Sequence, residues 1–173
     1  MGRLLALLIP GILAGCGGRI SAEHPLTIPL GLARTDADAA LRKHQYCIEV
    51  DGPRPEVETY PRCERAGFEW GESWVTAKYK DDKLVELRRY ERIADEARAT
   101  ERWNQLVGER VKAGADPSDE AIAALRARPL EHGTRSMKAF RVDASTVVGI
   151  YLLTPTPPED ANILEAVLLV PKT

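Results

Sequence analysis

The sequence has 173 residues, 44% of them hydrophobic and 29% charged, with a formal net charge of −2. This is enough chain and enough apolar content for one buried core, or two small halves. A balance so close to neutral excludes the strongly basic footprint of a nucleic-acid binder, so no nucleic-acid partner is expected.

The chain opens with Arg3 and an apolar run from Leu4 to Ala14, broken by Pro10 and Gly11. A positive start, a short apolar region and small residues before a cut mark a secretory signal. The run falls short of the roughly 20 apolar residues that a spanning helix needs. Leu13-Ala14-Gly15-Cys16 then supplies an apolar residue, two small ones and a cysteine. This quartet resembles the lipobox of the type II signal peptide of bacterial lipoproteins. Small residues there let the scissile bond fit the peptidase, and the thiol forms a thioether to diacylglycerol. The resemblance implies that residues 1–15 are a signal peptide. It also implies that Cys16 carries lipid, palmitate among the acyl chains, and that the protein partners a membrane through it. Stable anchoring takes more than one acyl chain, which the family's cysteine provides. Gly17 rather than Asp follows the cysteine, so the expected address is the outer membrane, facing the periplasm or the surface. Loss of Arg3 with the leader moves the net charge from −2 to −3.

With Cys16 assigned to lipid, Cys47 and Cys63 remain, in a compartment where disulfides persist. A bridge between them is expected, the alternative being two buried thiols. Closing a loop of about 15 residues is worth roughly 3 kcal/mol in the chain-entropy model. Three His, with neither CxxC nor HxxxH spacing, bring together no metal site, and no cofactor is expected.

Residues 16–29, with Gly17-Gly18 and Pro25, read as a flexible tether, and residues 30–173 as an α+β domain. A first helix is expected from Thr35 or Asp36, with Thr35 as cap and Lys43 and His44 in its last turn. His44 then reads as a helix-end residue rather than a base. Tyr46–Val50 alternates and stops at Asp51-Gly52-Pro53, so a hairpin with Glu56–Arg62 is expected, stapled by Cys47–Cys63. Phe68–Tyr79 reads as a long strand, with Val75, Ala77 and Tyr79 on one face and Phe68, Trp70 and Trp74 on the other. Asp81-Asp82 makes the turn into a strand over 84–90, with Val85 and Leu87 on one side.

Ile93–Lys112 reads as a helix whose stripe is Ile93, Ala97, Thr100, Trp103, Val107 and Val111, ended by Gly114. Asp116-Pro117 is expected to cap a short helix to about Arg128, with Ile122 and Leu125 inward. Met137–Val142, Val147–Thr154 and Ile163–Val170 read as strands. The second and third are apolar enough to be central. The expected fold class is therefore α+β: an antiparallel sheet with two or three helices packed on it. The order helix then three strands occurs twice, which suggests halves at 30–92 and 93–173.

The stretch Trp74-Val75-Thr76-Ala77-Lys78-Tyr79-Lys80-Asp81-Asp82-Lys83-Leu84 carries a second resemblance. Residues 30–92 are similar to the small outer-membrane lipoprotein of the β-barrel assembly machinery, and to the β-lactamase-inhibitor-protein fold. Helix, hairpin, Trp-bearing strand, acidic turn and return strand follow in the same order.

No catalytic constellation stands out. G-x-S-x-G and a phosphate-cradling glycine loop are missing, His132 falls in a turn, and Glu69 with Glu72 is an ordinary coincidence among 26 acids. No enzyme is expected. Phe68, Trp70 and Trp74 are candidate partner-binding residues, because Trp and Tyr dominate interface hot spots; the competing reading is that they cover a helix, with Trp103 as packing partner. The expected function is a lipid-anchored protein-binding or scaffolding module with an envelope protein as partner. The alternative is a periplasmic inhibitor or small-ligand-binding module.

Overall fold

The computed structural model describes residues 25–64, 67–114, 116–126, 133–154 and 161–169, with backbone alone at 25, 64, 67–72, 116, 117, 122, 124 and 126. The elements in chain order are α1 (Arg34–Lys43), β1 (Val57–Glu64), β2 (Gly67–Lys80), β3 (Lys83–Ile93), α2 (Glu96–Lys112), β4 (Asp116–Pro117), α3 (Asp119–Arg126), β5 (Thr134–Arg141), β6 (Val147–Leu153) and β7 (Asn162–Leu169). All the strands join one sheet in the order β1-β2-β3-β7-β6-β5-β4, and every pairing is antiparallel. The fold is thus α+β, with an antiparallel sheet and, among the described residues, three α-helices and a short 3-10 turn at Pro25–Thr27.

The two apolar runs 148–153 and 166–170 read as central strands. Every residue of β6 is buried, as is all of β7 but Ile163, and β7 lies between β3 and β6. Burial on both faces explains the unbroken hydrophobicity. On one face α1 contributes Ala37 and Leu41, and α2 contributes Ala99 and Leu106. They pack on Tyr60, Val75, Ala77, Leu87, Ile150 and Leu168. On the other face α3 contributes Ala121 and Leu125, which pack on Ala139, Tyr151 and Val167. Asp81 and Asp82 both have positive φ, 50° and 60°, the conformation a two-residue hairpin turn of matching twist requires.

Several expectations are corrected by what the chain finds to pair with. The strand 57–64 pairs with β2, Tyr60 opposite Val75 and Cys63 opposite Phe68. Residues 47–50 form no strand, and one bridge, Tyr46 to Arg62, replaces the expected hairpin. β2 takes one edge of β1, and on the other edge, among the described residues, only Gln45 and Cys47 meet it, through Cys63 N and Pro61 O.

Arg34 opens α1, and Ala33 caps it without a side-chain bond. Asp82 O takes the Arg34 amide at 3.0 Å, so backbone does what Thr35 was expected to do. The register slips between Lys78 and Tyr79, so Leu84 and Leu87 are buried while Val85 is only half-buried.

Ile93 ends β3, and Asp95 caps α2 by accepting from the Arg98 amide at 2.7 Å. The stripe facing the sheet then runs through Ala99, Arg102, Trp103 and Leu106, while Val111 is 55% exposed. Asp116-Pro117 pairs with Arg141 and Phe140 as a strand. Ser118 caps α3 instead, accepting from Ala121 N at 3.2 Å. The folded part also begins before Leu30: Leu26 and Ile28 lie in the main core and tie the end of the expected tether to the domain. Residues 1–24, with the lipobox, lie outside the described residues, as do His132 and 155–160.

Candidate functional site

Cys47 and Cys63 are disulfide-bonded, with Cα atoms 5.1 Å apart. The bond sits beside a short backbone clasp. The Cys47 amide donates to Pro61 O at 3.0 Å, and the Cys63 amide donates to Gln45 O at 2.9 Å. Tyr46 inserts behind the clasp, fully buried, with its hydroxyl 2.7 Å from Ser73 Oγ. Arg89, itself only 5% exposed, donates from Nε to that hydroxyl at 3.2 Å. It also pairs with Glu91, which receives Arg102 Nε of α2 at 3.0 Å. The chain from disulfide to α2 is thus continuous through hydrogen bonds.

A second polar network lies between α1, the loop before β1, and β1–β2. Arg54 forks onto Asp38 at 2.6 Å and 3.0 Å and onto Glu58. The Tyr60 hydroxyl is 2.7 Å from Asp38 and 2.9 Å from the Tyr79 hydroxyl. Arg34 closes the group, 3.1 Å from Glu58 and stacked 4.2 Å over the Tyr79 ring. Burial pushes the Asp38 carboxyl up. Hydrogen bonds from Arg54 and Tyr60, with the guanidinium charges of Arg54 and Arg34, outweigh burial and hold it below the usual carboxylate value. Burial pushes the Tyr79 phenol up to about 12, and Tyr60 higher still. Both phenols stay neutral at pH 7, and every member has a partner. Such a satisfied network specifies one packing of the loop.

The face of β1–β3 turned away from α1 and α2 is different. Trp74 and Tyr90, directly opposite on β2 and β3, stack with centroids 5.1 Å apart and planes 12° from parallel. The Arg92 guanidinium lies 5.5 Å over the Trp74 ring. Arg88 pairs with Glu86 and stands 4.0 Å from Glu165, which is 4% exposed. Burial raises the Tyr90 phenol and the Glu165 charge adds to it, against hydrogen bonds from Arg88 and Thr76. Trp74 and Tyr90 are half-buried, Lys78 and Arg92 exposed. No described helix covers this part of the sheet; α3 covers the equivalent face of β5–β7.

Trp74 therefore does not meet Trp103. Trp103 lies on the opposite side of the sheet, donating from Nε1 to Ile150 O at 3.3 Å. Between Pro61 and Arg62 the register with β2 jumps from Trp74 to Glu69, so residues 70–73 have no partner on β1. The expected shared face for Phe68, Trp70 and Trp74 therefore does not follow from strand parity, and the side chains of Phe68 and Trp70 lie outside those described. The sequence marks Arg88, Tyr90 and Arg92 only by their alternation along β3 opposite Trp74.

Among the described residues, no group of three or more His, Cys, Asp or Glu is placed to hold a metal ion, and no helix is long and apolar enough to cross a membrane. No protein-family profile, curated protein or solved structure matches the chain.

Proposed function

We propose that this is a lipid-anchored protein of the cell envelope that binds a partner protein through the sheet face bearing Trp74 and Tyr90. The stacked pair under Arg92, left open by the described helices, carries this reading. Large planar side chains held rigid by stacking make contact area at little entropic cost. Exposed Lys78 on the same face suits a partner presenting carboxylates around an apolar centre. The Cys47–Cys63 bond supports an oxidising compartment, and Leu13–Cys16 supports a lipid anchor at the outer membrane. The chain order also supports two helix-then-strands halves that meet where β3 pairs with β7. In that reading β4 and α3 are an insertion in the second half, and α3 fills the place that the partner takes on the first.

Two measurements test the reading. Labelled palmitate is expected to mark the wild-type protein and not Cys16→Ser. Labelling of neither sinks the anchor. An envelope protein that co-purifies from detergent-solubilised membranes is expected to be lost with Trp74→Ala, the variant staying folded with a melting temperature lowered by the lost stacking alone. Retention of that partner by Trp74→Ala and by Arg92→Glu alike overturns the assignment of the face.

A further inference from the structure

The outer edge of β1 offers a second binding element. Strand β1 is last in the sheet order, so one row of its backbone groups faces away from β2. The hydrogen bonds say which row. Tyr79 N donates to Glu56 O at 2.7 Å, which turns even-numbered residues toward β2. Pro61 O receives the Cys47 amide and the Cys63 amide donates to Gln45, which turns odd-numbered residues outward. Along an antiparallel strand this alternates strictly. The N–H and C=O groups of Val57 and Thr59 therefore point off the sheet edge, and no described backbone group meets them.

The chain carries a segment that could cover this edge and does not. Continued in register from the Tyr46–Arg62 bridge, Glu49 would stand opposite Thr59 and Asp51 opposite Val57. Two features prevent it. Pro61 has no N–H, so the rung that should receive from it at Cys47 O is missing. Arg54 is pinned on the helix side by Asp38, Glu58 and Tyr60, which draws the loop off the strand. A depression of 180 Å³ opens between the loop and Val57–Thr59, lined among others by Ile48 and Val50. Val50 and Val57 are 48% and 52% exposed. Unpaired edges are ready templates for another chain, and natural proteins usually block them. Here Pro61 and the clasp block one end alone.

The rim sets the charge of the occupant. Glu49 and Asp51 line the slot and are exposed, while Arg54, the cation among its lining residues, is already held by Asp38 and Glu58. We propose that the Val57–Thr59 edge accepts an extended, basic peptide segment of a partner protein as an added strand. Backbone bonds would give affinity, and an apolar side chain in the depression with Lys or Arg at the rim would give selectivity. The proposal rests on the reading of the protein as a binding module, but uses a surface separate from the Trp74 face.

A short capped peptide of alternating lysine and valine serves as probe, with the matching glutamate–valine peptide as control. Binding is followed by fluorescence anisotropy, and amide exchange by NMR. Without peptide, the Val57 and Thr59 amides are expected to exchange fast and those of Glu58 and Tyr60 slowly. The basic peptide is expected to slow Val57 and Thr59, and the acidic one to leave them unchanged. Thr59→Pro, which deletes one outward N–H, is expected to weaken binding by about tenfold. Should that variant unfold, Glu49→Lys with Asp51→Lys provides the second reading, with a similar loss at wild-type melting temperature. Slow exchange at Thr59 in the free protein overturns the proposal. So does binding that ignores peptide charge, or binding that leaves the Val57 and Thr59 amides fast. If the peptide fails while Trp74-dependent co-purification persists, the edge assignment alone falls.

Discussion

Replacing Arg54 with alanine tests the idea that a fully paired polar network holds the loop before β1. The wild-type guanidinium touches Asp38, Glu58 and the Tyr60 hydroxyl at once. Removing one partner of a buried ion pair costs about 3–5 kcal/mol, because the other charge is left uncompensated. Two features reduce that figure: Arg34 remains 3.1 Å from Glu58, and the Asp38 side chain is 24% exposed. A loss of about 2–3 kcal/mol at pH 7 is therefore expected, which lowers the melting temperature by roughly 6–9 °C for a domain of this size.

The pH dependence gives a second check. The folded carboxyl of Asp38 is held below its ordinary value of 3.8. Its contribution to stability is thus present above that value, and is lost as pH falls through the depressed folded value. Without Arg54 burial dominates, the carboxyl rises, and protonation relieves the variant earlier. The gap between wild type and variant should therefore close as pH drops below about 4. Urea melts at pH 7 and at stepped acidic pH measure both. A gap under about 0.5 kcal/mol at pH 7, the size of an ordinary surface substitution, refutes the reasoning. A gap that stays constant into strong acid refutes the electrostatic part of it.

Two further outcomes follow from the packing. A Cβ at Gly149 would stand 2.8 Å from both Leu125 Cδ1 and Tyr151 Cε2, so Gly149→Ala should cost about 1–3 kcal/mol by overpacking under α3. Gly108, inside α2, has nothing within 4 Å of its Cβ position, so Gly108→Ala should stabilise by about 1 kcal/mol through helix propensity. Equal effects at the two sites in denaturant melts would contradict the placement of α3. At high pH the buried phenols dominate. Tyr79 is pushed from 10.0 up to about 12, so stability present below pH 10 should fall as pH rises toward 12, by about 2–3 kcal/mol. Tyr79→Phe should flatten that decline; an unchanged slope would count against it.

The elements that showed in the sequence are those whose signal is local. The unbroken apolar runs of β6 and β7, the Asp81-Asp82 turn, and the glycine that ends α2 each carry their cause within a few residues. The Cys47–Cys63 pair was legible because few cysteines leave few choices. What escaped depends on partners far along the chain. Arg34, Asp38, Arg54 and Glu58 look like solvated charges in any window, yet they converge across 4 to 24 positions on one buried spot. A stripe started at Ile93 runs one step out along α2, because Ile93 is the last residue of β3. The jump at Pro61, which leaves residues 70–73 without a β1 partner, has no sequence signature beyond Gly71 and the proline itself.

The place of β7 has a consequence for how the molecule is made. It is the last described strand in the sequence, yet it lies in the middle of the sheet, with β3 on one side and β6 on the other. The hairpins β1–β2–β3 and β5–β6 can each zip as soon as their own residues are available. The join between them waits for Asn162–Leu169. Until then two long edges stay open, one of them the wholly apolar β6. Such a chain is slow to finish and exposed to mispairing while it waits. Any premature stop before Asn162 should therefore yield two sticky half-sheets rather than a smaller working protein.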